Sequence, residues 1–191
     1  MTEVQVEDLK KAVKVLKDGG VILYPTDTIW GLGCDATNVE AVKRLFKIKA
    51  RPDSKAMISL VDSLETLRRF VKKIPETALR ELEVNDGRPL TVIYDSPTGI
   101  DELLIAPDGS AAFRISSHEF SQKLCSGLGG PLVSTSANIS GEKAPATFGE
   151  IDPALREMVD YVCRSERDSK ASIPSRIVKI NDNDEVTVIR K

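Results

Sequence analysis

The residues best suited to chemistry are cations at the end of the second predicted helix. Six lysines and arginines stand in residues 43–55 against one acid. Lys43 and Lys47 lie one turn apart on the exposed face of the helix, and a solvated face explains them. Lys49, Arg51 and Lys55 are expected to project from the loop beyond, because Pro52 stops the helix. Their charge predicts a phosphate-binding site, although cations also favour the C-terminus of a helix.

Two segments rich in hydroxyl groups each follow an apolar strand. Residues 25–33, PTDTIWGLG, follow the apolar run 21–24, and their glycines either supply positive φ or let a ligand approach the backbone. Residues 133–141, VSTSANISG, either cap their own loop or line a ligand site at a sheet edge. Cations, hydroxyls and free backbone N–H groups around one cleft can together bind a polyanion. The two segments together indicate a nucleotide-using enzyme.

Arg114 is the most unusual single residue, because it lies inside the apolar run 111–115, AAFRI. A buried arginine needs an anion, so we expect a carboxylate or a bound anion as its partner. Ser175 and Arg190, in the closing strands, carry no individual signal. His118, the single histidine, is expected at the surface.

Composition limits the function further. The net charge is −2, so any nucleic-acid binding must come from a local patch. The three cysteines form no C-x-x-C pair, which argues against disulfides and zinc and favours a reducing compartment. The chain has no apolar run of membrane-spanning length and no signal-peptide core at its start. These features predict a cytoplasmic protein.

Several common motifs are missing from the sequence. It contains no G-x-x-x-x-G-K-[ST], which excludes a P-loop enzyme. The glycines at 31 and 33 match the dinucleotide fingerprint only loosely, since six residues separate them from the preceding strand. No metal-binding cluster, nucleophile or general base is evident. Catalysis would therefore rest on positioning and charge neutralisation, as phosphoryl and nucleotidyl transfers allow.

Helices and strands mix along the chain without strict alternation. Caps and apolar periodicity predict helices over 6–17, 37–49, 64–71, 75–84, 119–124 and from 147 or 152 to 162. Apolar runs predict strands over 21–24, 57–61, 90–94, 111–115, 131–134, 172–180 and 185–190. We expect a single α/β domain over residues 1–191, with an open, twisted mixed sheet and flanking helices.

Five motifs, in this order and spacing, resemble the YrdC-like threonylcarbamoyl-AMP synthases: YPTDTIWGLG, KARPDSK, FRIS, STSANISG and SIPSRIV. The resemblance implies a YrdC/RibB-like sheet with a basic concave groove. It implies an L-threonylcarbamoyladenylate synthase, a nucleotidyltransferase that makes threonylcarbamoyl-AMP and diphosphate from ATP, L-threonine and bicarbonate. Mg²⁺ would accompany ATP. The product would serve N6-threonylcarbamoyladenosine formation in tRNA through a downstream threonylcarbamoyl transferase.

The resemblance also implies roles for particular residues. The catalytic residues would be Lys49 and Arg51. The residues contacting ATP would be Arg51, Lys55, Ser110, Ser136, Asn138, Ala144 and Arg190. The residues contacting threonine would be Thr28, Arg114, Ser134 and Ser175. No resident metal ligand is implied.

The chain departs from the family pattern at several positions. Asp27 stands where glutamate is more usual, and Leu60 stands where some members have a threonine-contacting histidine. Arg176 replaces a common threonine and would add bulk and charge at the pocket wall, which leaves other amine or acid substrates open. The alternative from another class is a non-catalytic module that binds tRNA or double-stranded RNA in the same groove. Such a module would bind with a steep salt dependence and show no threonine-dependent ATP turnover.

Overall fold

The fold is known from a computed structural model, which describes residues 1–50, 57–84, 86–170, 172–181 and 183–191. The strands in this part of the chain are β1 (Ile22–Tyr24), β2 (Gly31–Gly33), β3 (Ile58–Val61), β4 (Leu90–Asp95), β5 (Ser110–Ile115), β6 (Leu132–Ser136), β7 (Tyr161–Val162), β8 (Arg176–Ile180) and β9 (Val186–Arg190). The α-helices are α1 (Glu3–Lys17), α2 (Val39–Ile48), α3 (Leu64–Phe70), α4 (Glu76–Glu83), α5 (Glu119–Leu128) and α6 (Pro153–Glu157).

The strands form one mixed, open sheet in the order β7-β1-β2-β6-β3-β5-β4-β8-β9. β3 runs parallel to β5, β4 parallel to β8, and β1 parallel to β7, whereas the other neighbours are antiparallel. The predicted fold class, an α/β protein with an open mixed sheet, is therefore confirmed.

Side-chain caps begin two of the helices that lead to the site. Asn38 accepts a hydrogen bond from the backbone N–H of Ala41 at the start of α2, and Ser63 does the same for Thr66 at the start of α3. The predicted start of α2 at Thr37 is one residue early, because the Thr37 hydroxyl donates to Asp35 instead of capping the helix.

The helix α5 runs four residues beyond its predicted end at 124, and the glycines explain why. Gly127 does not break the helix; a Cβ there would lie 2.7 Å from Val13 of α1, so the glycine allows the two helices to approach closely. Gly129, with φ +84°, ends the helix in the left-handed conformation.

The helix predicted to reach residue 162 is shorter than expected. Phe148–Glu150 forms a separate 3₁₀ turn, α6 ends at Glu157, and Tyr161–Val162 forms β7 beside β1. Asp160 directs the chain to that edge, because its carboxylate accepts the backbone N–H of Val21 at 2.8 Å.

The polar turn predicted over 25–33 contains a strand that composition does not reveal. Gly31–Gly33 forms β2, and neither of these two glycines has a positive φ. A Cβ on Gly33 would lie 2.6 Å from the carbonyl oxygen of Val133, so glycine is required there by close packing of β2 on β6. β6 in turn extends through Ser136, into the segment predicted as a loop.

The two faces of the sheet differ in character. Successive side chains on a strand point to opposite faces. Val92, Phe113 and Val178 turn inward to a hydrophobic cluster that includes Leu67 of α3. The opposite, more polar face carries Thr91, Ser110, Arg114, Ser134 and Ser136 among small and aliphatic residues such as Ile93 and Ala112.

Candidate functional site

A cavity of about 630 Å³ opens on the polar face of the sheet. Its volume lies in the usual range for small-molecule sites. Eight residues that the family resemblance assigns to ligand binding line it together: Thr28, Ser110, Arg114, Ser134, Ser136, Ala144, Ser175 and Arg190. They come from separate strands and loops, so the fold, rather than any local motif, brings them together.

Arg114 forms the centre of the cavity wall. Its guanidinium donates to Asp27 Oδ1 at 2.8 Å, to Thr91 Oγ1 at 3.1 Å and to Ser175 Oγ at 2.9 Å. The predicted carboxylate partner is thus confirmed, and it is Asp27. These three bonds fix the guanidinium plane and use three of its five N–H groups. No hydrogen bond of the other two N–H groups is seen within the described residues, and Arg114 lines the cavity, so a ligand there could accept from them.

Arg190 approaches the same point from β9. Its Nη2 donates to Ser175 Oγ at 2.8 Å and its Nε donates to the Ser175 carbonyl oxygen at 2.8 Å. Burial, together with the positive charge of Arg114, lowers the pKa of Arg190. Two guanidinium groups therefore converge on one buried hydroxyl, an arrangement that a bound anion would relieve.

The hydroxyl of Thr28 presents lone pairs to the cavity. Thr26 Oγ1 donates its proton to the Ile29 carbonyl oxygen at 2.6 Å and lies 3.2 Å from Thr28 Oγ1. Because the Thr26 proton is already used, the Thr28 hydroxyl must be the donor between the two. Thr28 Oγ1 can then accept a hydrogen bond from an N–H or O–H of a ligand.

Ser110 is oriented in a similar way at another part of the cavity. Its hydroxyl donates to Asp108 Oδ1 at 2.6 Å, and Lys179 donates to the other oxygen of that carboxylate at 2.7 Å. Hydrogen bonds from Lys179 and then Ser110 lower the pKa of Asp108 to about 2. Ser110 Oγ therefore also faces the cavity as an acceptor, which suits a ribose hydroxyl or a base amino group better than a phosphate.

Lys49 does not project from a loop, so that prediction is wrong. It is buried, with 1% of its surface exposed, and its ammonium donates to the carbonyl oxygens of Ser136, at 2.6 Å, and Asn138. Its own carbonyl oxygen accepts the N–H of Ser140 at 2.9 Å. Lys49 therefore joins the end of α2 to the hydroxyl-rich segment behind the cavity wall.

The other residues predicted around this junction have different outcomes. Asn138 does not line the cavity; its amide donates to the carbonyl oxygens of Ile139 and Glu142 and shapes the loop. Arg51 and Lys55, predicted to contact ATP phosphates, lie outside the described residues.

Two residues that sequence reasoning did not select belong to the site. Asp27 pairs with Arg114, and Thr91 accepts from the Arg114 Nε. Thr91 carries the same signal as Arg114, a polar residue within an apolar strand. A third contribution comes from Ser172, which lines the cavity and donates its N–H to the Thr28 carbonyl oxygen at 2.7 Å.

The two departures from the family pattern that seemed to affect the substrate do not reach the cavity lining. Arg176 forms an ion pair with Glu81 of α4, on the side of the strand opposite Ser175. Leu60 is buried in the hydrophobic core. The expectation that Arg176 adds bulk at the pocket wall is therefore wrong, because the alternation along the chain directs it away.

Several other chemistries find no support in the described part of the chain. The three cysteines are free and buried, and burial raises the pKa of Cys125 to about 12. No group of three or more His, Cys, Asp or Glu residues could hold a metal there. His118 is only partly exposed, contrary to prediction, because it caps α5 and its Nε2 lies 2.9 Å from Glu166 Oε2. Within the same residues, no helix is long and apolar enough to cross a bilayer.

Comparison with protein-family models shows which family the chain belongs to. The Sua5/YciO/YrdC family, described as "Telomere recombination", matches residues 14–191. The chain belongs to this family. A curated member, the threonylcarbamoyl-AMP synthase of Xanthomonas axonopodis pv. citri (strain 306), is 37% identical over 172 residues, 89% of this chain and 91% of the relative. That of Stenotrophomonas maltophilia (strain K279a) is 36% identical over 83% of this chain and 86% of its own length. These relatives identify the chain as an enzyme.

Solved structures of Sua5/YciO/YrdC proteins share the fold. E. coli YciO superposes with a TM-score of 0.82 at 26% identity, over 98% of this chain and 89% of its own. P. abyssi Sua5 complexed with L-threonine gives a TM-score of 0.79 at 25% identity, over 90% of this chain. The chain spans only 50% of that Sua5 protein.

Proposed function

We propose that the chain is an L-threonylcarbamoyladenylate synthase, which makes threonylcarbamoyl-AMP and diphosphate from ATP, L-threonine and bicarbonate. The names of the curated relatives and the threonine complex of P. abyssi Sua5 support this activity. The observation that carries it is the oriented Arg114 guanidinium in the wall of a cavity large enough for an amino acid beside a nucleotide.

The amino acid would bind at the Arg114 end of the cavity. Its carboxylate would accept from the N–H groups of Arg114 that the protein leaves available, with the Ser175 hydroxyl beside it. Its amine would donate to the lone pairs of Thr28 Oγ1. Ser134, which lines the same cavity, would complete the threonine pocket.

The nucleotide would occupy the remaining part of the cavity. Ser110 Oγ would accept from the nucleoside, and Ser136 and Ala144 would lie along it. Arg190 would close over the ligand from β9. Arg51 and Lys55 remain the predicted partners of the phosphates. Lys49 would hold the wall behind Ser136 in place, and its predicted catalytic role and the predicted contact of Asn138 with the nucleotide stay predictions.

The reaction would proceed by positioning rather than by a protein nucleophile. The threonine amine attacks CO₂ derived from bicarbonate and loses a proton to give a carbamate. A carbamate oxygen then attacks the α-phosphorus of ATP, and the bond to diphosphate breaks. Mg²⁺ would enter with ATP as part of the substrate, held mainly by the phosphates. Thr28 would hold the amine near the nucleotide, and Arg51 and Lys55 would neutralise charge on the leaving diphosphate.

The product would serve N6-threonylcarbamoyladenosine formation in tRNA, through a downstream transferase and in the cytoplasm. Diphosphate release, measured with ATP and bicarbonate in the presence and absence of L-threonine, tests the proposal. We expect release to depend on threonine, and mass spectrometry to detect threonylcarbamoyl-AMP.

Two results would contradict the assignment. Equal diphosphate release with and without threonine would exclude threonine as the amine substrate. Salt-dependent tRNA binding without any nucleotide turnover would instead favour a binding module.

A further inference from the structure

Asp27 is an unusual carboxylate, because only one of its two oxygens accepts a hydrogen bond within the described residues. Its Oδ1 accepts from Arg114 at 2.8 Å, and 8% of the side chain is exposed. Its Oδ2 is buried and makes no hydrogen bond within the described part of the chain. An incompletely satisfied buried carboxylate is costly, so a purely structural role explains it poorly.

The charges around Ser175 Oγ give Asp27 an electrostatic role. Arg114 and Arg190 both donate to this hydroxyl, and Asp27 contacts Arg114 directly. Arg176, the next residue along the chain, is already paired with Glu81. Two cations and one anion leave this cluster with a net charge of +1.

We propose that Asp27 sets the charge of the anion that this end of the cavity accepts, so that a singly charged carboxylate binds and a doubly charged anion does not. The proposal rests on the proposed function and deepens it, since it names monoanionic acids as the substrate class at Arg114. Asp27 acts here through Arg114 as a specificity-determining residue.

The physical reason is charge balance in a partly desolvated site. One carboxylate makes the cluster of Arg114, Arg190 and Asp27 neutral. Burial and then repulsion from Arg114 lower the pKa of Arg190, and the carboxylate relieves that repulsion. A dianion would leave one negative charge uncompensated beside the buried Asp27 Oδ2. Charges in such surroundings interact far more strongly than in water, so rejection of the dianion follows from repulsion rather than from size.

The substitution Asp27→Asn tests this by raising the cluster charge to +2 without changing the side-chain shape. Binding of methanesulfonate, a tetrahedral monoanion, and of sulfate, a dianion of similar shape, is measured by NMR titration at constant ionic strength. We expect D27N to lower the Kd for sulfate at least about tenfold. The factor by which it lowers the Kd for methanesulfonate should be several times smaller. Glu76→Gln, which removes one charge from an exposed pair with Arg80, is the matched control and should leave both affinities within about twofold.

Unchanged or weaker sulfate binding by D27N would overturn the proposal, and so would a Glu76→Gln effect of equal size. The wild-type protein gives an independent test that does not need the variant to fold: it should bind methanesulfonate at least as tightly as sulfate. A wild-type preference for sulfate, or binding of neither anion, would also overturn it. Neither titration needs ATP or turnover, so failure here is distinct from failure of the synthase assignment.

Discussion

Arg114 and Arg176 lie on β5 and β8, the two neighbours of β4, and each pairs with a carboxylate. In the Arg114–Asp27 pair the side chains are 7% and 8% exposed, and the guanidinium also binds two hydroxyls facing a cavity. In the Arg176–Glu81 pair they are 25% and 24% exposed and lie away from that cavity. The residue type alone therefore does not show which arginine faces the cavity; the strand face does.

The two pairs are also expected to contribute differently to the free energy of unfolding. A buried ion pair is expensive to desolvate and contributes little net stability, yet removing one partner is strongly destabilising. An exposed pair gains little and loses little, and the partly buried Arg176–Glu81 pair lies between the two cases. The buried Arg114–Asp27 pair holds a preoriented guanidinium beside the cavity.

The largest expected effect is that of Arg114→Ala. It would leave the Asp27 carboxylate buried without its cation, so the free energy of unfolding should fall by about 3–5 kcal/mol in denaturant titrations. Threonine-dependent diphosphate release should fall at least about 10²-fold, because the substrate carboxylate loses its oriented partner.

Arg114→Lys separates the two effects. It keeps a charge near Asp27 but cannot reproduce the three-directional bonding to Asp27, Thr91 and Ser175. We therefore expect most of the stability to return while the KM for threonine stays raised. Wild-type turnover in either variant would exclude Arg114 from substrate binding.

A smaller effect is expected from Arg176→Thr, which introduces the residue common in the family. The free energy of unfolding should fall by less than the about 3–5 kcal/mol expected for Arg114→Ala, because this pair is only partly buried, and the KM for threonine should stay within about twofold. Glu81→Gln should behave alike, because it opens the same pair from its other side. A KM change of about tenfold or more in the Arg176 variant would show that its side chain enters the cavity after all.

The smallest effect concerns the more exposed Lys179–Asp108 pair. The pKa of Asp108 is lowered to about 2, so its contribution to stability is complete above the usual aspartate pKa of about 3.9 and is lost as the pH falls towards 2. Lys179→Met should lower the Tm slightly at about pH 5, and the difference from wild type should narrow as the pH approaches 2. A difference independent of pH would mean that the pair contributes no linked stability.

The sequence predicts the features whose cause is local. The caps at Asn38 and Ser63 follow from short-range hydrogen bonds, and the arginine in the apolar strand β5 is expected to pair with a carboxylate or a bound anion. Alternation along the strands predicts which residues share the polar face once the strand bounds are known. Most of the cavity lining could therefore be anticipated, with the help of the family motifs.

The features that sequence reasoning missed depend on distant residues. Lys49 looked like an exposed cation at a helix end, but its ammonium is satisfied by backbone carbonyls nearly ninety positions away, at Ser136 and Asn138. Gly31–Gly33 looked like a turn, but it pairs with β6 from the other half of the chain. Neither partner could be identified from the neighbouring residues.

The cavity wall uses β2, β3, β4, β5, β6, β8 and β9, so its residues range along the chain from Thr26 to Arg190. Unfolding of the β9 edge would remove Ile189 and Arg190 from the wall and weaken any ligand bound there. Occupancy is thus linked to integrity of most of the sheet: a saturating ligand at about 100 times its Kd would stabilise the native state by about 2.7 kcal/mol. The thermal shift caused by an amino acid or a nucleotide therefore reports on most of the sheet, including the edge strand β9.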